Sequence, residues 1–133
     1  MPVLNVKISG ERHDDITRKT ATMLADATSK ILGKKRELIA ITIQYVPHED
    51  WIVAGRSLAD WGQSSFYLDI KITDETNTKD EKARFIQNVF AGFESILGDL
   101  HEESYLHVED VRAAAYGYGG KTQEYRYQHP LAG

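Results

Sequence analysis

Hydrophobic and polar residues alternate along the first strand-length stretch: Leu4, Val6 and Ile8 fall on one side, Val3, Asn5 and Lys7 on the other. A period of two predicts a β-strand with a buried face. The period then changes. Ile16, Met23, Leu24, Ala27 and Ile31 recur at helical spacing behind Asp14 and Asp15, whose carboxylates suit the positive end of a helix dipole, and Gly33 is placed to cap the C-terminus. From Leu38 to Val46 alternation returns, with Ile39, Ile41, Ile43 and Tyr45 set against Ala40, Thr42 and Gln44, until Pro47 ends the run.

The same succession follows once more. Phe66, Leu68, Ile70 and Ile72 alternate with Tyr67, Asp69 and Lys71. Thr78-Lys79-Asp80-Glu81 is a capping box opening a second helix, whose buried stripe is Phe85, Ile86, Val89, Phe90, Phe93, Ile96 and Leu97, with Gly98 at its end. A weaker strand spans Ser104 to Val111; residues 55–65 read as loop or short turns, and Tyr125-Arg126-Tyr127 in the tail reads as an edge strand.

Identity of residues supports the repetition of pattern. Ile31-Leu32-Gly33 reappears 65 residues later as Ile96-Leu97-Gly98, and Trp51 with Gly55 reappears at that offset as Tyr116 with Gly120. Val6-Lys7-Ile8 reappears 64 residues later as Ile70-Lys71-Ile72, which puts a one-residue insertion between the first strand and its helix. A period of half the chain indicates duplication, not an extended array. The expectation is a single α+β domain over residues 1–133, built from tandem β-α-β units at about 2–58 and 65–120 with a tail at 121–133. Right-handed crossovers then give a four-stranded mixed sheet with two helices on one face. The other face, with Ala40, Thr42 and Gln44, is expected to meet further copies of the chain.

Composition narrows the function classes. The 133 residues are 41% hydrophobic and 27% charged, ordinary for one globular domain. No cysteine is present, which removes disulfides, thiolate nucleophiles and thiolate metal sites. A net charge of −4 without a basic stripe argues against nucleic acid as partner. With no long apolar run and no signal-like segment, neither a membrane partner nor export is expected, and the cytoplasm is the expected location. A small anionic substrate would need a local cation.

Pro2 supplies the candidate chemistry. Removal of Met1 would make it a free secondary amine; α-amino groups titrate near pH ~8, far below the ~10.4 of lysine. An apolar setting lowers this further by disfavouring the cation, leaving a rigidly mounted base close to neutrality. Arg12, in Gly10-Glu11-Arg12-His13-Asp14, offers a fork for a carboxylate, and Trp51, in Trp51-Ile52-Val53-Ala54-Gly55, offers a dry aromatic wall.

An N-terminal proline, a strand, an arginine after it, a helix, a return strand and an aromatic–Gly turn together resemble the 4-oxalocrotonate tautomerase family. The resemblance is close over residues 2–58 and architectural over the second half. It implies a fused two-unit chain that assembles as a homotrimer and moves a proton in a small 2-keto or enol acid. Pro2 is implied as general base and acid, Arg12 as the carboxylate holder, in its own or a neighbouring subunit, and Trp51 as the wall. No cofactor or metal is implied, because hydrogen bonds and charge stabilise the enol. Ala40 stands where the family's tautomerase carries a second arginine, so a diacid is not implied. Phe66 or a neighbour replaces proline in the second copy, giving one centre per chain.

Other readings stay open. The family includes dehalogenases, hydratases and decarboxylases of three-carbon acids, but Thr73-Asp74-Glu75-Thr76-Asn77 lacks the arginines that such members carry after the second copy's strand. Nor does Ile52-Val53-Ala54 supply a carboxylate to activate water. A non-catalytic trimeric scaffold is the third alternative. Tyr116 is a further pocket candidate, and Arg56 and Arg112 are candidates for the missing cation. His101, His107 and Glu109 lack the spacing of a metal site. Gly117-Tyr118-Gly119-Gly120 lacks the Gly-Lys-Ser/Thr ending of a phosphate loop and reads as a turn.

Overall fold

Alternation becomes burial at once in β1 (Val3–Ser9), where Leu4, Val6 and Ile8 are enclosed while Asn5 and Lys7 face outward. The computed structural model describes residues 2–129; Met1 and residues 130–133, the end of the expected tail, lie outside the described residues. Helix α1 (Asp14–Lys30) starts where the His13 ring accepts from the Ile16 amide at 3.4 Å, and it stops before Gly33, which adopts φ 70°. Strand β2 (Ala40–Val46) begins two residues later than the pattern indicates, because Arg36–Leu38 closes a 3₁₀ turn. Ile52–Val53 (β3), just ahead of the stretch read as loop or short turns, pairs with Arg56–Ser57 (β4) inside it, and that stretch also holds a single helical turn, α2 (Leu58–Trp61).

Strand β5 (Phe66–Thr73) precedes α3 (Lys79–Leu97), whose first turn carries the expected capping box: Thr78 Oγ1 accepts from the Glu81 amide at 3.1 Å, and Glu81 Oε1 accepts from the Thr78 amide at 2.8 Å. Then come β6 (Tyr105–Val111), a hairpin of β7 (Gly117–Tyr118) and β8 (Lys121–Thr122), and α4 (Gln123–Gln128). Tyr125-Arg126-Tyr127 therefore lies in a helix, not an edge strand. The Thr122 hydroxyl accepts from the Tyr125 amide at 2.9 Å and turns the chain into helix.

The main sheet runs β2-β1-β5-β6, with parallel outer pairs and an antiparallel centre, and both long helices pack on one face. Phe66, Phe85 and Phe93 join Leu4, Ile8 and Leu68 in that core, the Phe66 and Phe93 rings stacking at 4.2 Å. The opposite face is open. Gln44, Lys7, Tyr67 and Tyr105 form one row across it, and Thr42, Asn5, Asp69 and His107 form the next.

The duplication is written into the hydrogen bonds. Asn5 and Asp69 pair across β1 and β5 and are also each other's repeat counterparts, so a pseudo-two-fold axis passes between them. Val3 pairs with Ala40 as Tyr67 pairs with Tyr105, the same ladder displaced by one repeat. The Leu58 amide donates to Trp51 O at 2.8 Å, and 65 residues on the Gln123 amide donates to Tyr116 O at 2.9 Å. Where Thr17 meets Tyr45 at 2.8 Å, the second unit has a Lys82–Asp110 ion pair at 2.6 Å. The correspondence continues through α4, beyond Gly120.

Candidate active site

Pro2 is buried at the head of β1, and its carbonyl accepts from the Ala40 amide at 3.3 Å. Because β1 is antiparallel to β5 and Val3 pairs with Lys71, that end of the sheet is also where β5 and β6 finish. The second unit thus furnishes the surroundings. The Tyr116 hydroxyl lies 2.7 Å from Thr73 Oγ1, tying the aromatic–Gly turn to the last residue of β5. Burial pushes the Tyr116 phenol up, while hydrogen bonds with Thr73 and Gln123 pull it back. Arg112 follows β6 at the same end and is exposed.

Arg12 and Trp51 lie elsewhere. β1 and β2 are parallel, so residues following their C-terminal ends sit at the far end of the sheet from Pro2, roughly 20 Å away along a seven-residue strand. Within one chain the three expected site residues do not converge. Arg12 is exposed and paired with Asp14, whose carboxylate raises the guanidinium pKa and is itself held below its ordinary range. Trp51 lines a cleft of about 510 Å³ with Trp61, Phe66, Tyr67 and Tyr105. Arg56 lies at this end too, its guanidinium 4.4 Å from the Trp61 ring centre.

This far cleft is the Pro2 centre's counterpart under the pseudo-two-fold. Phe66 takes the place of Pro2, Trp51 that of Tyr116, and Arg12 that of Asn77. Asn77 is neutral, and its amide nitrogen donates to Leu32 O at 2.9 Å and to Glu81 Oε1 at 3.2 Å. Thr73 and Asn77, which the sequence marks only by their lack of charge, stand at this end through the bond of Thr73 to Tyr116 and the 65-residue offset of Asn77 from Arg12.

The remaining candidates have structural partners. Glu109 reaches Lys71 at 3.6 Å, His107 faces Asp69 across the ladder, and His101 Nδ1 accepts from the Glu103 amide at 3.0 Å. Among the described residues no group of three His, Cys, Asp or Glu side chains is arranged to hold a metal. Gly119 and Gly120, at φ 62° and 78°, form the β7–β8 turn that matches Ala54-Gly55. Among the described residues no helix is long and apolar enough to cross a membrane.

Comparison with known proteins agrees with this architecture. The profile of the family described as "Tautomerase enzyme" matches residues 2–60. A wild-type fused 4-OT solved as a symmetric trimer superposes with a TM-score of 0.79 at 20% identity, covering 92% of this chain and 96% of its own. Pt0534 inactivated by 2-oxo-3-pentynoate gives 0.80 at 13% identity, with 92% and 97% covered. A macrophage migration inhibitory factor-like protein from Entamoeba histolytica gives 0.75 at 17% identity, with 91% and 97% covered. A search among curated proteins finds no match. Residues 2–60 thus match the tautomerase family, and the two units together have the fold of a fused 4-oxalocrotonate tautomerase.

Proposed function

We propose that this protein is a cofactor-independent tautomerase acting on a small 2-keto or enol acid, with Pro2 as its base once Met1 is removed. The observation that carries the reading is the burial of Pro2 at the head of β1 in a unit that matches the tautomerase family. Burial disfavours the protonated amine and keeps the nitrogen available near neutrality. In ketonisation the nitrogen takes the enol hydroxyl proton as the C=O bond forms. The former alkene carbon then takes a proton from the same nitrogen, returning the base to its starting state. Tyr116 is the wall that limits hydration of the amine. If Arg12 serves this centre, it comes from another copy. The fused 4-OT relative is a trimer, and the open face with Tyr67 and Tyr105 is the surface suited to such an assembly here.

Intact-mass measurement combined with phenylenolpyruvate ketonisation tests the proposal. The expected result is a chain lacking Met1 whose turnover is mostly lost in Pro2→Ala. A reactive alkynyl ketone such as 2-oxo-3-pentynoate should add to the free imino nitrogen and shift the mass of the N-terminal peptide. Equal turnover by Pro2→Ala refutes the role. Halide release from a 3-haloacrylate without ketonisation would instead make the protein a dehalogenase.

A further inference from the structure

We infer that Arg126 binds the substrate carboxylate at the Pro2 centre, in the position that Trp61 occupies in the opposite half. The inference rests on Pro2 marking the working centre and adds to it a cation held in the wall. At the far end, Trp61 Nε1 donates to Val53 O at 2.9 Å. Sixty-five residues on, Arg126 Nη2 donates to Tyr118 O at 3.0 Å. One backbone acceptor is thus met by an indole in one unit and a guanidinium in the other. The flanking contacts repeat as well, since Ser57 caps α2 through the Asp60 amide and Thr122 caps α4 through the Tyr125 amide.

The far cleft shows what this position can reach. Trp61 lines that cleft together with Trp51 and Phe66. The pseudo-two-fold carries these three onto Arg126, Tyr116 and Pro2. A side chain at position 126 therefore belongs to the wall around Pro2, and here it is a cation. Its plane is set in advance. The guanidinium lies 3.8 Å from the Tyr118 ring centre, a cation–π stack, and one nitrogen is anchored on Tyr118 O. Its Nε is buried and finds no acceptor among the described residues. A buried donor without a partner is costly, and a carboxylate is the acceptor that a planar fork fits best. Ala40 has no charge, and Asn77 is neutral and already bonded. Arg112, at the same end, is exposed, and Arg36, the repeat counterpart of the far cleft's His101, is paired with Asp26. A single cation beside the base selects a monocarboxylate 2-keto or enol acid.

The test compares Arg126→Trp and Arg126→Lys with the unaltered protein. Arg126→Trp installs the residue of the other unit and can keep the bond to Tyr118 O, so the fold has a precedent within the same molecule. The expected outcome is a KM for phenylenolpyruvate raised roughly 10- to 100-fold in Arg126→Trp. Partial recovery is expected in Arg126→Lys, with little change for the phenylenolpyruvate methyl ester. Calorimetric binding of phenylpyruvate should weaken in parallel, a readout that needs no turnover. Unchanged phenylpyruvate affinity in Arg126→Trp overturns the inference. So does a KM rise confined to Arg12→Gln, which would put the carboxylate on Arg12 across a subunit boundary. Loss of ketonisation in the unaltered protein, with Arg126-dependent phenylpyruvate binding retained, would instead fault Pro2 as base while leaving Arg126 as the anion site.

Discussion

Thr73 and Tyr116 share a hydroxyl–hydroxyl hydrogen bond of 2.7 Å across 43 residues of sequence, and it fixes the aromatic–Gly turn of the second unit against the strand end beside Pro2. Tyr116→Phe removes this bond and keeps the ring. The expected loss is about 1 kcal/mol in urea unfolding, with ketonisation largely preserved. Tyr116→Ala also removes the wall, and kcat should fall well below that of Tyr116→Phe. Equal kcat in the two variants would show that the ring has no part in catalysis.

The α3 capping box should be visible in acid. Glu81 is held below its ordinary carboxylate range, first by the Thr78 backbone amide and then by Asn77. A folded-state pKa below the unfolded one gives a contribution present above the unfolded pKa and lost as pH falls through the folded value. The stability gap between the unaltered protein and Glu81→Gln should therefore be largest near neutrality and close below the usual carboxylate range. A gap that stays constant down to pH ~2 would contradict it. Thr78→Ala, which removes the cap itself, should cost about 1 kcal/mol at neutral pH.

Phe66 stands at the repeat position of Pro2 but does the work of core packing. It is 1% exposed and stacked on Phe93 with an interplanar angle of 19°. Phe66→Ala should destabilise the chain by about 3–5 kcal/mol, read from chemical denaturation. Phe66→Leu should recover most of that loss.

Tyr105 is 61% exposed on the open sheet face, beside Tyr67. If this face joins copies of the chain, Tyr105→Lys puts a charge into the contact. Sedimentation velocity should then report a smaller species with unchanged far-UV circular dichroism. An unaltered sedimentation coefficient would exclude this face from the assembly.

How legible the chain was differs from element to element. The strands of the main sheet and both long helices were readable because each buries one face, and burial imposes a period on the sequence. The capping box at Thr78 was readable because its bonds span three residues. Helix α4 was not. Alternating aromatic and charged residues at Tyr125-Arg126-Tyr127 imitate a strand, and only the Thr122 cap turns them into helix. The far hairpin and α2 were likewise too short to carry a period.

By itself the sequence determined the duplication, the β-α-β order, the apolar faces and the candidate base, because each is recorded in local spacing or in residue identity. It could not determine which residues surround that base. The choice was made by strand direction: a parallel β1–β2 pair sends Arg12 and Trp51 away from Pro2, and the antiparallel β1–β5 pair brings the end of the second unit to it. Direction is a property of pairing between distant segments, so the neighbourhood of Pro2 existed only once the sheet had formed.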